Sequence, residues 1–172
     1  MSALDEAKEL DRVGDSIAAI QAYERALQLG EGDRTTFVDL AVLYFTLLDP
    51  GVSAALKLDQ GFLDTAWTRA NDLLDTANDR FGNDSEIALW KRYFAMIVLG
   101  ADEFLDECRA LAHTNESLVP FFYLWAATDG REFSDEARRL YLQVASGQTA
   151  RERYIRSILA GGGRVSRLFR VR

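Results

Sequence analysis

Small, aromatic and aliphatic side chains recur 34 positions apart in two separate parts of the chain. In the first part, the pairs are Ala3 and Phe37, Ala7 and Ala41, and Leu10 and Tyr44. In the second part, the pairs are Ile87 and Phe121, and Trp90 and Leu124. A fixed period of this length is typical of repeat proteins, whose units bury their apolar faces against their neighbours. We therefore expect several copies of one supersecondary unit.

Glycines and capping residues divide the first period into two helices. Ser2 is predicted to cap a helix that ends at Gly14, and Asp15 or Ser16 to cap a second helix that ends near Gly30. One face of the second helix carries Ala19, Tyr23, Ala26 and Leu27. Further helices are predicted over about residues 35–48, 85–99, 119–128 and 149–159. The fold class is therefore predicted to be all-α.

Composition supports one helical domain. The 172 residues include only two prolines, Pro50 and Pro120, and enough apolar side chains to form a core. The single cysteine, Cys108, has no partner for an internal disulfide and is expected to be a small buried residue. The first residues lack the pattern of a secretory signal, and the longest apolar run, Phe94–Leu99, is too short to cross a bilayer. A cytoplasmic location with no transmembrane segment is the expectation.

Charge is distributed unevenly along the chain. The formal net charge is −7, yet residues 151–172 contain seven arginines and one glutamate. The preceding residues are therefore strongly acidic, which argues against a nucleic-acid-binding surface.

The repeat pattern resembles the tetratricopeptide repeat, a pair of helices in 34 residues. The first-helix positions are matched by Phe37, Leu40, Ala41 and Tyr44, and the turn and second helix by Gly14, Ala19, Tyr23 and Ala26. Weaker matches in later copies are Ala66, Ala70, Leu73, Gly100, Leu105, Ala137, Tyr141 and Val144. The family prefers a small residue where this chain has Lys91 and Trp125. An unrelated α-helical bundle is the alternative.

The resemblance implies an α-solenoid of about four degenerate hairpins with a C-terminal capping helix. The approximate units are 1–33, 34–83, 84–117 and 118–148, followed by the capping helix at 149–160. Residues 161–172 are read as a glycine-rich hinge and a basic tail. The second unit carries 16 surplus residues, within 49–62, which predict a turn followed by a short helical segment.

In the resembled family, the first helices line a concave groove that binds peptides. The corresponding positions here are Val38, Val42, Phe45, Ala88, Arg92, Met96 and Phe122. Such a groove would be mainly apolar, with Arg92 as the one position close to a carboxylate clamp. The alternative is that these side chains form the core of a closed bundle, since aromatic side chains at helical spacing usually pack inside.

Candidate catalytic groups are few. His113 is the only histidine and is expected near a helix C-terminus, where its ring can interact with the last carbonyl groups. Asp72, Asp75 and Asp79, like Glu103, Asp106 and Glu107, follow the polar side of a helix and are expected to face solvent. The sequence predicts no catalytic residue, no metal site and no cofactor.

The basic tail alternates arginine with apolar residues, including Arg164, Arg167, Leu168, Phe169, Arg170 and Arg172. It is predicted to bind an acidic partner, an anionic membrane surface, or the protein's own groove as an autoinhibitory or dimerising segment. The acidic charge of the preceding residues favours this last alternative. A mobile terminus is the alternative.

These observations favour a non-catalytic scaffold or adaptor that binds an apolar or amphipathic peptide or helix. One alternative is a secretion or assembly chaperone that shields a hydrophobic segment of its partner. An alternative of another class is a regulatory or catalytic subunit that binds a small ligand in a closed helical core.

Overall fold

The computed structural model describes residues 2–82, 84–114 and 117–161. Within these residues the chain forms ten α-helices and no β-strand, which confirms the all-α prediction. The helices α1 to α10 are Ala3–Val13, Ser16–Gln28, Arg34–Thr46, Pro50–Leu56, Gln60–Phe81, Ser85–Leu99, Leu105–His113, Pro120–Ala127, Ser134–Val144 and Ala150–Ala160. The chain divides into two compact units.

The first compact unit comprises Met1–Gly82 and Gln148–Arg151. Within it α1 packs against α2, and α3 packs against α5. Helix α1 begins with a capping box, in which the Ser2 hydroxyl accepts from the Asp5 N–H and the Asp5 carboxylate accepts from the Ser2 N–H. It ends at Gly14, whose φ of 84° lies in the left-handed region that favours glycine. The predicted first hairpin is confirmed.

Two buried carboxylates organise the interior of this unit. The Asp11 carboxylate accepts the Ala150 N–H at 3.0 Å and the Tyr23 hydroxyl at 3.4 Å. The Asp39 carboxylate accepts the Arg151 Nε–H at 2.6 Å and the Thr149 hydroxyl at 3.3 Å. Burial, together with the charges of Asp39 and Asp11, raises the pKa of Tyr23 far above its usual range. These bonds fasten Gln148–Arg151 to helices α1 and α3.

The surplus residues between α3 and α5 form an ordered helix. Asp49 caps α4 by accepting from the N–H groups of Gly51 and Val52, and Pro50 occupies its first turn. The helix ends at Lys57, which adopts a left-handed conformation. Helix α5 then begins after Asp59, whose side chain accepts from the Phe62 N–H.

The second compact unit comprises Asn83–Gly147 and Glu152–Arg172. Its core is a cluster of aromatic rings on α6, α8 and α10. The Phe122 ring lies 5.3 Å from that of Trp90 and 5.1 Å from that of Tyr93. The hydroxyls of Tyr93 and Tyr154 are 2.7 Å apart, and burial raises the pKa of Tyr93 above its usual range. Aromatic pairs at these separations add to the stabilisation from buried area.

In the described part of the chain, no helix taken alone combines the length and apolar composition needed to cross a membrane. Helices α3 and α4 satisfy both criteria only as a pair, with a bend of 83° between them.

Candidate functional site

Four of the seven predicted groove side chains are core residues in the structure. Val38, Val42, Phe45 and Phe122 are at most 2% exposed. On α3 every residue from Thr36 to Phe45 is buried, so this stretch of the helix has no solvent-exposed face that could line a groove. Ala88, Arg92 and Met96 are partly exposed. The implied groove therefore remains a prediction for these three α6 positions.

Arg92 is already engaged within its own unit. Its Nε and one terminal nitrogen donate to the two carboxylate oxygens of Glu107, at 2.8 and 3.1 Å. Its guanidinium also lies 5.6 Å from the centroid of the Phe104 ring, which stacks on Tyr123 at 4.4 Å. A partner's carboxylate would have to displace Glu107, so Arg92 is a poor clamp as placed.

The candidate binding site of the second unit is a pocket between α8, α9 and the end of α10, which we call the α8–α9 pocket. Its volume is about 630 Å³. Its lining residues are Trp125, Gly130, Ser134, Ala137, Arg138, Tyr141, Leu159 and Ala160. Ser134, Arg138, Tyr141 and Ala160 are exposed, so the pocket opens to solvent instead of forming a closed cavity. Its walls combine aromatic and aliphatic surface, as binding pockets usually do.

The loop that joins α8 to α9 places the Trp125 indole at this pocket. The Gly130 N–H donates to the Trp125 carbonyl at 2.8 Å, and a Cβ at Gly130 would lie 3.3 Å from the indole ring. Gly130 has a φ of +73°, and both Asp129 and Phe133 also have positive φ. Left-handed conformations are costly for residues other than glycine and often occur at functional sites. The tight turn therefore lets the indole lie against bare backbone.

Arg138 is the charged member of the pocket lining. Its side chain forms no hydrogen bond or ion pair with the described part of the chain. By contrast, nearby loop acids are engaged: Asp129 lies 3.7 Å from Arg131, and Glu132 lies 3.6 Å from Arg109. Considering residues 2–82, 84–114 and 117–161, the pocket thus presents an unpaired cation beside apolar walls.

The first unit has a smaller surface depression of about 220 Å³ between α2, α3 and α5. Its polar side is the pair formed by Arg69 and Glu24, with both hydrogen bonds at 2.7 Å. The Tyr44 hydroxyl also donates to Glu24, at 3.0 Å. Burial, with the Glu24 charge, raises the pKa of Tyr44 above its usual range. These groups satisfy one another, so the depression offers fewer open contacts than the α8–α9 pocket.

The other side chains that the sequence analysis considered as candidate chemical groups lie in the surroundings predicted for them. Cys108 is fully buried, as expected, with its Sγ 3.5 Å from the Pro120 carbonyl oxygen, and burial raises the pKa of its thiol to about 12. His113 lies in the last turn of α7, also as expected. The predicted solvent-facing acids Asp72, Asp75, Asp79, Glu103, Asp106 and Glu107 are exposed. Among residues 2–82, 84–114 and 117–161, no group of three or more metal-ligating side chains is assembled.

The basic tail residues Arg164, Arg167, Leu168, Phe169, Arg170 and Arg172 lie outside the described residues.

Sequence reasoning missed the α8–α9 pocket, although Trp125 departs from the repeat pattern and so provided a signal. Tyr141 matches a packing position of the second helix, yet the structure leaves it exposed.

Comparisons with protein-family models, with curated proteins and with solved structures found no match for this chain.

Proposed function

We propose that this chain is a non-catalytic interaction module that binds a short apolar or amphipathic segment of a partner protein. The observation that carries the proposal is the open α8–α9 pocket, in which Trp125, Tyr141 and Leu159 provide apolar walls. Aromatic side chains at a pocket supply large contact area with little loss of conformational entropy, and they are frequent anchors at interfaces. A scaffold or adaptor role follows from this mode of binding.

Exposed apolar surface continues from the pocket along α9. Leu142 is 65% exposed and follows Tyr141, which is 39% exposed. Arg138 and Leu142 are four residues apart and therefore neighbours on the helix surface. A peptide segment can insert one side chain into the pocket and cover Leu142 with the next, which a compact small molecule would not do.

The proposal includes a degenerate tetratricopeptide-like arrangement. It is supported by the packing of α1 against α2 and of α3 against α5 in the first unit. In the second unit, it is supported by the packing of α6 against α7 and of α8 against α9. Members of that family present helices to peptides, so the arrangement and the pocket favour the same class of function.

A small-molecule ligand is the second candidate, because a pocket of about 630 Å³ lies in the range of small-molecule sites. The two candidates differ in how much of the α9 surface they need. A small molecule depends on Trp125 and Leu159, whereas a peptide also depends on Leu142.

In the test, peptides are selected from a random display library against the full chain. The selected peptides are then synthesised and their affinity for the chain is measured. Replacing both Tyr141 and Leu142 by Ser is expected to abolish binding. The matched control replaces Val98 and Leu99 by Ser, because these α6 residues are 39% and 66% exposed. Circular dichroism melting should show both variants folded. Equal binding by the two double variants, or stabilisation by metabolites in place of peptides, would contradict the proposal.

A further inference from the structure

We infer that the α8–α9 pocket recognises a carboxylate beside an apolar side chain, so that the partner segment is acidic and amphipathic. This inference rests on the proposed peptide-binding function and specifies the chemistry of the peptide. It starts from Arg138, the charged side chain of the pocket lining.

The Arg138 guanidinium is available for a ligand. Its side chain is exposed and unpaired in the described part of the chain. A guanidinium presents a planar fork of donors that matches the two oxygens of a carboxylate. Because Trp125 and Tyr141 line the same pocket, a carboxylate bound by Arg138 would lie next to apolar surface.

No acidic side chain of the same helix forms an ion pair with Arg138. Asp135 and Glu136 lie in the first turn of α9, where the helix dipole favours negative charge. Neither residue lines the pocket, and neither forms an ion pair with Arg138. A ligand carboxylate therefore has no acidic competitor among the lining residues.

Another possible occupant is the chain's own segment 162–172. Only Gly161 separates that segment from the lining residue Ala160, so the segment begins close to the pocket along the chain. It carries four arginines, Arg164, Arg167, Arg170 and Arg172, and no acidic residue. Like charge disfavours the contact of these arginines with Arg138. Charge complementarity therefore favours an acidic partner over the basic segment.

The experiment measures fluorescence anisotropy of labelled, amidated peptides with the full chain. The first probe carries tryptophan and leucine flanked by aspartates, and two matched probes replace each aspartate by asparagine or by lysine. A fourth probe has the sequence of residues 162–172. We expect the aspartate probe to bind about three- to ten-fold more tightly than the asparagine probe, as for one solvent-accessible ion pair. Added salt should narrow this difference.

The arginine variants assign the preference to the pocket. Arg138→Gln should remove the preference for aspartate over asparagine. Arg139→Gln, at the next exposed position of α9, should leave it unchanged. Equal binding of the aspartate and asparagine probes would overturn the inference while leaving the peptide-binding function standing, provided that replacing Tyr141 and Leu142 by Ser still abolishes binding.

Three other results would also overturn the inference. Binding of the 162–172 probe alone would make the chain's own segment the occupant. Binding of none of the probes by the folded chain would contradict both the inference and the proposed function. Loss of the aspartate preference in both arginine variants would show a general effect of net charge instead of recognition in the pocket.

Discussion

In the first compact unit two buried carboxylates, Asp11 and Asp39, hold a distant segment of the chain, whereas the second unit is built around a cluster of aromatic rings, with Glu86 buried beside Trp90. Asp11 and Asp39 hold Ala150 and Arg151 through charged hydrogen bonds in the interior of the first unit. Phe122 packs among aromatic rings in the second unit. A buried charge depends on its particular partner, whereas ring packing depends mainly on volume and area. The two units should therefore respond differently to matched substitutions.

Among substitutions by alanine, the largest effect is expected at the buried ion pair of the first unit. The Arg151 and Asp39 side chains are 15% and 2% exposed. Asp39→Ala should lower the free energy of unfolding by about 3–5 kcal/mol, because Arg151 loses a buried counter-ion. Urea unfolding followed by circular dichroism would measure the loss. In the control, Asp39→Leu combined with Arg151→Met should be much less destabilising, and equal losses would show that the charge pair is not the cause.

A slightly smaller effect is expected in the aromatic core of the second unit. Phe122→Ala should cost about 3–4 kcal/mol, because it leaves a cavity among rings that cannot fully collapse. Phe121→Ala, at the adjacent and partly exposed position, should cost less. Thermal and urea unfolding provide the comparison.

A more severe substitution separates a core from a groove. Phe45→Asp and Phe122→Asp should each abolish the cooperative unfolding transition, since both rings are buried. If a variant with both substitutions folded and lost only peptide binding, that result would instead support the predicted groove on the first helices.

Cys108 gives the second unit a pH dependence of its own. Its pKa rises from the ordinary value of 9.0 to about 12 because the thiol is buried. Between these values the unfolded chain ionises the thiol and the folded chain does not, so stability falls as pH rises. At a pH of about 10 the loss should be about 1 kcal/mol. The wild type should lose that much more than Cys108→Ala between pH of about 8 and 10, and parallel losses would contradict the assignment.

The sequence predicts helices better than it predicts surfaces. The helix from Ser85 to Leu99 was expected at those residues, because its apolar spacing and the following glycine are local signals. Helix α4 was anticipated only as a turn and a short helical segment. Here Asp49 and Pro50 provide a start signal, but the helix is only seven residues long.

The candidate site was harder to predict, because exposure depends on what covers each helix face. Helix α3 carries apolar residues around most of its circumference, so its periodicity cannot distinguish a groove face from a packing face. Trp125 and Tyr141 come together only through the left-handed turn at Asp129 and Gly130. The Asp-Gly dipeptide favours such a turn locally, but it does not specify which distant side chains the turn brings together.

The smallest effect is expected at the exposed ion pair of the second unit. The Arg92 and Glu107 side chains are 40% and 60% exposed, in contrast to the buried pair of the first unit. Glu107→Gln should therefore change the free energy of unfolding by about 0.5 kcal/mol or less, because water and salt screen the lost attraction.

Urea unfolding at low and high salt tests this contrast between the two ion pairs. The effect of Glu107→Gln should shrink further as salt is added, whereas that of Asp39→Ala should change little, because the buried pair is shielded from mobile ions. The Arg92 guanidinium lies against the Phe104 ring, which stacks on Tyr123. A loss of several kcal/mol on Glu107→Gln would mean that Arg92 holds this stack in place. In that case an exposed ion pair would matter to the second unit as much as the buried pair matters to the first, and the contrast between the two ion pairs would fail.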